Sequence, residues 1–120
     1  MTADQLEAAL SQFTGSENLY AHSSRQFSYT DGVKFLADNA GAYWLIDLIA
    51  SYQKRCRKDA MLREIQIWEL KKTGARTARV GCLRDSHDPV FAQDIPFTDF
   101  PLQTITLYLE NEVLTLPRER

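Results

Sequence analysis

Asp85, Ser86, His87 and Asp88 form the segment of the sequence that is richest in groups able to do chemistry. Carboxylates and an imidazole this close together are donors that a metal site or an acid–base pair uses. A metal site also needs a further ligand at a defined spacing and ordered hydrogen bonds around it. Because Pro89 closes the segment, we interpret it as a polar turn between two strands and predict no metal ion.

A second candidate is a hydrolytic set in which His22, Asp31 and His87 would converge on Ser23 or Ser24. The sequence contains no Gly-x-Ser-x-Gly elbow, and neither cysteine has a recognisable catalytic neighbourhood. Nothing in the sequence brings these side chains together. We therefore interpret them as residues of turns and strand ends.

A third candidate is the polar stripe Tyr43, Asp47 and Ser51 on an otherwise apolar predicted helix. Asp47 would serve as a base in a pocket if burial raised its pKa. We favour a structural carboxylate, which accepts hydrogen bonds from Ser51, a tyrosine or the backbone. The sequence predicts no catalytic residue and no cofactor.

The strongest candidate is a binding surface made of basic residues. The whole chain has a net charge of −2, but residues 54–79 carry nine bases and three acids. Residues 1–53 and 80–120 each carry a net charge of −4. Such a basic segment suits an acidic protein or a nucleic-acid backbone, and it also suits a solvated surface balanced by acidic flanks. A strand of about ten residues would separate its two halves by roughly 30 Å, so the sequence does not require a single patch.

Trp68 joins this set because a two-residue loop at Thr73-Gly74 would place it opposite Arg79. There the indole could stack on a base, although a cross-strand cation–π pair is the simpler interpretation. The candidate binding residues are Lys54, Arg55, Arg57, Lys58, Trp68, Lys71, Lys72, Arg76 and Arg79.

Three helices are predicted before this segment. The first covers residues 3–12 with Thr2 as its cap, and the second begins at Thr30-Asp31 and ends at residues 39–41. The third, residues 42–52, is the densest apolar block of the chain. We expect its core contacts to be Trp44, Leu48, Ile49 and Tyr52. Residues 54–59 are predicted to be a connector.

Strands are predicted from alternation with a period of two. Two short strands surround a Ser23-Ser24 turn, and another strand ends near Pro96. The loop at Thr73-Gly74 would pair Ile67 with Val80 and Ile65 with Cys82.

A last hairpin turns at Asn111-Glu112, because asparagine tolerates the left-handed conformation that such turns require. This loop pairs Leu109 with Leu114, and Tyr108 with Thr115.

The chain of 120 residues predicts one domain, 1–120. Helices followed by strands predict the α+β class, with N-terminal helices packed on one face of an antiparallel sheet of about five strands. The longest apolar run ends at Asp47, so no membrane span is expected. The chain begins without a signal peptide and has two cysteines, from which we expect a cytoplasmic protein with reduced thiols.

Five stretches of the sequence carry a resemblance. They are residues 13–17 (FTGSE), 29–34 (YTDGVK), 40–45 (AGAYWL), 98–102 (TDFPL) and 107–111 (LYLEN). Together they resemble a family of small bacterial and phage proteins of unknown function. The resemblance spans nearly the whole chain and implies a bacterial, mobile-element-associated protein. It implies no activity, cofactor or catalytic residue.

The first functional hypothesis is a small cytoplasmic interaction protein, not an enzyme, that is phage- or plasmid-borne and binds a host protein. Exposed Tyr108 and Trp68 would be its anchors. The final hairpin could also pair edge to edge with a second copy as a homodimer. One alternative is nucleic-acid binding by residues 54–79. The other is an enzyme that uses Asp47 or the loop from Asp85 to Asp88.

Overall fold

A seven-stranded mixed sheet is the central element of the fold. The structure is a computed structural model and describes residues 1–15, 17–85 and 88–120. Its order is β1-β2-β7-β6-β3-β4-β5, and β2 and β7 form its parallel pair. The α+β class is therefore confirmed, whereas the prediction of a purely antiparallel sheet of about five strands is wrong. The strands are β1 (Leu19–Ala21), β2 (Ser28–Thr30), β3 (Ile65–Lys72), β4 (Ala78–Leu83), β5 (Pro89–Ile95), β6 (Thr104–Glu110) and β7 (Val113–Thr115).

The helices begin and end largely where capping chemistry predicts. Thr2 accepts a hydrogen bond from the Gln5 N–H, and Thr30 accepts one from the Val33 N–H. Gly41, with φ of 59°, ends the second helix in the left-handed conformation that glycine adopts without strain. The helices are α1 (Ala3–Leu10), α2 (Asp31–Ala40), α3 (Tyr43–Ser51), α4 (Gln53–Cys56) and α5 (Ala60–Glu64), and Pro117–Glu119 is a 3₁₀ turn.

The predicted connector, residues 54–59, differs from the structure. Most of it belongs to α4 and to the turn that leads into α5. Asp59 is the N-cap of α5, and its carboxylate accepts hydrogen bonds from the N–H groups of Met61 and Leu62. No helix in the described part of the chain is long and apolar enough to cross a membrane.

The pairing of β3 with β4 is shifted by three residues from the predicted one. Trp68 lies opposite Cys82 and Leu70 opposite Val80, so Ile67 does not face Val80. The loop is longer than two residues, because the Thr73 N–H donates to the Thr77 carbonyl at 2.9 Å. When the register shifts by an odd number of residues, side chains predicted to lie together on one face of the sheet lie on opposite faces. Trp68 is therefore in the core and only 2% exposed.

The final hairpin has the predicted register. Leu109 pairs with Leu114 and Tyr108 with Thr115, and Asn111 and Glu112 both have positive φ, 55° and 62°. Both strands of the hairpin nevertheless have neighbours on each side, since β6 also pairs with β3 and β7 with β2. The prediction that this hairpin offers a free edge is wrong. The edge strands of the described sheet are β1 and β5.

The hydrophobic core joins the helices to the sheet. Ile49 is fully buried as predicted, but the other buried residues of α3 are Leu45, Ile46 and Ala50. The predicted contacts Trp44, Leu48 and Tyr52 are half-buried and pack at the margin of the core. Buried side chains from the rest of the core include Leu6, Val33, Leu36, Cys56, Leu70, Val80, Cys82, Leu107 and Leu114, and the two cysteines form no disulfide.

The Glu119 carboxylate ties the C-terminal turn to the start of α2. It accepts hydrogen bonds from the Thr30 hydroxyl at 2.6 Å and from the N–H groups of Gly32 at 3.2 Å and Leu116 at 3.0 Å. A methyl group on Gly32 would lie 2.6 Å from Glu119 Oε1 and 2.7 Å from Leu116 Cδ1. A methyl group at this position would therefore have to displace the ends of the Glu119 and Leu116 side chains.

We expect Gly32→Ala to lower the free energy of unfolding by about 1 kcal/mol. Overpacking costs about 1–3 kcal/mol, whereas alanine gains up to about 1 kcal/mol in helix propensity. Gly15→Ala is the control, because a methyl group there meets no atom of the described residues within 4 Å. Urea denaturation at equilibrium would measure both, and a Gly32→Ala variant as stable as Gly15→Ala would contradict the interpretation.

Candidate functional site

The predicted binding residues fall into two groups at the two ends of β3. Lys54, Arg55, Arg57 and Lys58 belong to α4 and the following turn, and Arg63 on α5 extends this group up to the beginning of β3. We call these five residues the basic surface, and all five are exposed. The remaining cations, Lys71, Lys72, Arg76 and Arg79, lie at the far end of β3 or beyond. A strand of this length spans about 23 Å, so the two groups do not form one patch.

The far group is largely engaged within the protein. Lys71 pairs with Glu69 at 3.0 Å, and Arg79 pairs with Asp94 at 2.8 Å. The Lys72 ammonium donates to the carbonyls of Ala75 and Phe100, both at 3.0 Å. Arg76 lies over the ring of Phe97, 5.7 Å from its centroid.

The basic surface keeps its charge available. Within residues 1–15, 17–85 and 88–120, none of its five cations forms an ion pair with a carboxylate. The Arg55 guanidinium lies 4.7 Å from the centroid of the Phe91 ring, which is stacked on Tyr52. Arg57 donates to Gln26 Oε1 at 3.0 Å. Neutral partners thus hold these two arginines in place without cancelling their charge.

A polar cleft of about 290 Å³ opens beside the basic surface. Arg57 and Arg63 line it together with Gln26 of the β1–β2 turn and with Asn111 and Glu112 of the β6–β7 turn. With Gln53 and Gln66, the lining contains two cations, four amide side chains and one carboxylate. Such a lining suits a small group rich in hydrogen-bond acceptors.

A buried pair of glutamines fixes α4 on β3 beneath this site. The Nε2 of Gln53 and the Nε2 of Gln66 each donate to the other's Oε1 at 2.9 Å. Gln53 also donates to the Ile49 carbonyl, and Gln66 donates to the Leu62 carbonyl. The indole N–H of Trp68 donates to Gln66 Oε1 at 2.8 Å. Trp68 is therefore a core residue, and its predicted roles as a base-stacking platform, a partner of Arg79 or an exposed anchor are wrong.

Asp47 is neither a base in a buried pocket nor a carboxylate bonded to Ser51, a tyrosine or the backbone, the two roles predicted for it. Its side chain is 70% exposed, so it lies in no buried pocket, and its hydrogen-bond partner is His22 Nε2 at 2.7 Å. Ser51 donates instead to the Leu48 carbonyl, and Tyr43 donates to Asp38. The polar stripe of α3 is thus a solvent-facing side of the helix.

His22 meets one of the two serines considered for a hydrolytic set. Its Nδ1 lies 2.8 Å from Ser24 Oγ. Asp31 is elsewhere, because it accepts a hydrogen bond from the Tyr20 hydroxyl at 2.9 Å. Ser86 and His87 lie outside the described residues. The structure therefore brings Ser24, His22 and Asp47 together, whereas the carboxylate considered from the sequence was Asp31.

The described flanks of the segment from Asp85 to Asp88 form an ion-pair network. Arg84 contacts Asp59 at 2.6 Å and Asp88 at 3.0 Å. Arg84 lowers the pKa of the Asp59 carboxyl, and the N–H groups that Asp59 caps add to the effect. No group of three or more His, Cys, Asp or Glu side chains in the described part of the chain is arranged to hold a metal ion.

Three features of the site escaped prediction, and two of them depend on contacts between residues distant in sequence. Arg63 was not included in the candidate set, although it follows Arg57 by only six positions. Gln26 reaches Arg57 across 31 residues, and Gln53 reaches Gln66 across 13. Gln66 stands between two isoleucines, so alternation assigns it to the outer face until the register is known.

The chain belongs to a family of unknown function, DUF6876, whose model matches residues 4–120. This confirms the predicted resemblance to a family of unknown function. No curated protein and no solved structure was found to match the chain. Family membership therefore assigns no activity to the basic surface, the cleft or the Ser24 cluster.

We expect Gln66→Leu to destabilise the protein by about 2–4 kcal/mol, because it leaves the Gln53 Oε1 and the Trp68 N–H buried without partners. Gln53→Leu should cost about 1–3 kcal/mol, since Gln66 keeps its bonds to Leu62 and Trp68 and loses only those to Gln53. The double variant should lose less than the sum of the two. Additive losses in urea denaturation would show that the glutamines do not act as a pair.

We expect Asp59→Asn to lower the melting temperature at pH 7 and to have a smaller effect as the pH falls through the folded pKa of Asp59. Asparagine still caps the helix, so the change isolates the ion pair with Arg84. Because the folded pKa of Asp59 lies below its ordinary value of about 3.9, its contribution is present above that pH. It is lost as the pH falls through the folded pKa. The control is Asp99→Asn, at an exposed carboxylate without an ion pair among the described residues; equal effects of both variants at pH 7 would contradict the prediction.

Proposed function

We propose that this member of the DUF6876 family is an interaction protein that binds an acidic segment of another protein at the basic surface. The observation that carries the proposal is the contrast between the two groups of cations. At the far end of β3, Lys71 and Arg79 pair with carboxylates, whereas none of the five cations between Lys54 and Arg63 has a carboxylate partner in the described structure. Unpaired charges on one surface attract and orient a partner of the opposite sign.

An acidic protein segment fits this surface better than a nucleic acid does. Duplex DNA carries one negative charge per about 1.7 Å of its axis, and it binds to cations that are distributed along its length. Here the second group of cations lies about 23 Å away along β3 and is engaged internally. Nucleic-acid binding by residues 54–79 is the second candidate, favoured by the local net charge of +6.

The biological setting belongs to the same proposal. We place the protein in the cytoplasm of a bacterium, as a phage- or plasmid-borne factor with a host protein as its partner. The resemblance of residues 13–17, 29–34, 40–45, 98–102 and 107–111 supports this setting. A homodimer is a companion proposal, and its contact would use the edge strands β1 or β5 because the final hairpin is internal.

We expect Lys54→Glu/Lys58→Glu to weaken binding of a labelled peptide of about ten glutamates by roughly tenfold or more at low salt. Lys71→Glu/Arg76→Glu is the matched control, because it changes the net charge by the same amount at the far end of β3. It should change the affinity by less than about twofold, since long-range charge effects are screened. Fluorescence anisotropy at several salt concentrations would measure both.

Three outcomes would overturn the proposal. One is equal weakening in both double variants, which would indicate a response to net charge alone. Another is no binding of the glutamate peptide at low salt. The third is tighter binding of a DNA duplex of about 20 base pairs with a steep salt dependence, which would select the nucleic-acid alternative.

A further inference from the structure

Ser24, His22 and Asp47 form a continuous hydrogen-bonded chain where the β1–β2 turn meets α3. His22 Nε2 lies 2.7 Å from Asp47 Oδ1, and His22 Nδ1 lies 2.8 Å from Ser24 Oγ. A hydroxyl, an imidazole and a carboxylate in this order have the connectivity of a serine nucleophile with its base and orienting group. The arrangement is independent of the basic surface and of the acidic partner proposed for it.

The hydrogen bonds determine which nitrogen of His22 carries the proton. The Ser24 backbone N–H approaches His22 Nδ1 at 3.0 Å. An amide N–H only donates, so Nδ1 must be the unprotonated nitrogen. The hydrogen then sits on Nε2 and points to the Asp47 carboxylate, which holds this tautomer. The single lone pair of Nδ1 in this tautomer faces Ser24, whose backbone N–H and hydroxyl share it.

The hydrogen bonds of Ser24 Oγ also orient its hydroxyl for proton transfer. Its Oγ accepts a hydrogen bond from the Gln26 N–H at 3.3 Å. Since Nδ1 carries no hydrogen, the contact between Oγ and Nδ1 requires the hydroxyl to be the donor. The hydroxyl proton thus points at the base, as general-base activation of a serine requires.

The turn that carries these groups is held in a single conformation. The His22 ring stacks on the buried Phe27 ring at 5.3 Å, and its side chain is 11% exposed. Arg25 has a φ of 61°, a left-handed conformation that is unfavourable for a residue with a side chain. The Gln26 amide compensates by donating to the Ala50 carbonyl at 3.1 Å. Ser24 itself is exposed, so a small molecule in solution can reach its hydroxyl.

We propose that Ser24 is a reactive nucleophile that cleaves small activated esters by acyl transfer. Ser24 Oγ forms a bond to the ester carbonyl carbon while its proton moves to His22 Nδ1. The tetrahedral intermediate then expels the alcohol oxygen, and His22 returns the proton to that leaving group. Asp47 is a positioning residue, because it acts only through His22.

A water molecule completes the cycle. Its oxygen attacks the carbonyl carbon of the acyl-serine while His22 Nδ1 takes one of its protons. The bond between carbon and Ser24 Oγ breaks, and that proton returns to the serine. The products are a carboxylic acid and the free hydroxyl, so the reaction needs no oxidant or cofactor. This proposal departs from the prediction that the protein has no catalytic activity.

A fluorophosphonate probe tests the nucleophile directly. Ser24 Oγ would form a bond to phosphorus while fluoride leaves and His22 takes the proton, giving a stable adduct that mass spectrometry of peptides can locate. We expect the adduct on Ser24 and its loss in Ser24→Ala. Ser23→Ala is the matched control and should be labelled like the wild type, because Ser23 is exposed and its side chain forms no hydrogen bond with His22 in the described structure.

The positioning residues give a second readout. His22→Ala should slow labelling of Ser24 by about a hundredfold or more, the range of a general base. Asp47→Asn should slow it by about tenfold, because the exposed carboxylate contributes less than a buried one. Circular dichroism verifies that each variant is folded. If His22→Ala does not fold, Asp47→Asn decides, since its side chain lies on the surface.

Two results would overturn the proposal. The first is an adduct distributed equally over Ser23 and Ser24, or no adduct on Ser24. The second is a labelling rate in folded His22→Ala and Asp47→Asn equal to that of the wild type. Neither result would bear on binding of the glutamate peptide, which the substitutions at Lys54 and Lys58 test separately.

Discussion

The rest of the structure depends on the buried amide pair between Gln53 and Gln66. Burying two primary amides is unfavourable unless their donors and acceptors find partners, and this pair satisfies itself together with two carbonyls and the Trp68 N–H. The hydrogen bonds are directional, and they tie the first residue of α4 to β3. This arrangement turns Trp68 into the core and leaves the cations that follow Gln53 on the surface.

Local chemistry made much of the fold predictable from the sequence. Thr2 and Thr30 cap helices because a side-chain oxygen reaches an N–H group only three residues away. The final hairpin was predicted with its register, because Asn111 and Glu112 specify a tight turn between two alternating strands. Whether the basic residues form one patch stayed open in the sequence, because it depends on where the ends of the strand between them lie.

The register of β3 and β4 could not be predicted in the same way. Ile65 and Ile67 point to one face of β3, whereas Trp68 and Leu70 point to the other, so both faces carry apolar side chains. Alternation then does not identify the core face. Thr73 and Thr77 close a longer loop through hydrogen bonds between their backbones and between their hydroxyls. The Thr73-Gly74 dipeptide alone predicts a two-residue loop instead. The Ser24 cluster was equally hidden, because His22 and Asp47 are 25 residues apart.

Gln26 joins the basic surface to the turn that carries Ser24. Its hydrogen bonds determine how far binding at the basic surface can change the geometry at Ser24. Its Oε1 accepts from Arg57, while its Nε2 donates to Ala50 and its backbone N–H donates to Ser24. An acidic ligand that captures Arg57 removes only the first of these bonds. One hydrogen bond to a charged group contributes about 1.5–3 kcal/mol at most, and less at an exposed position. Because the other two bonds keep the turn in place, occupancy of the basic surface should change the geometry at Ser24 little, and the two sites act as nearly independent units.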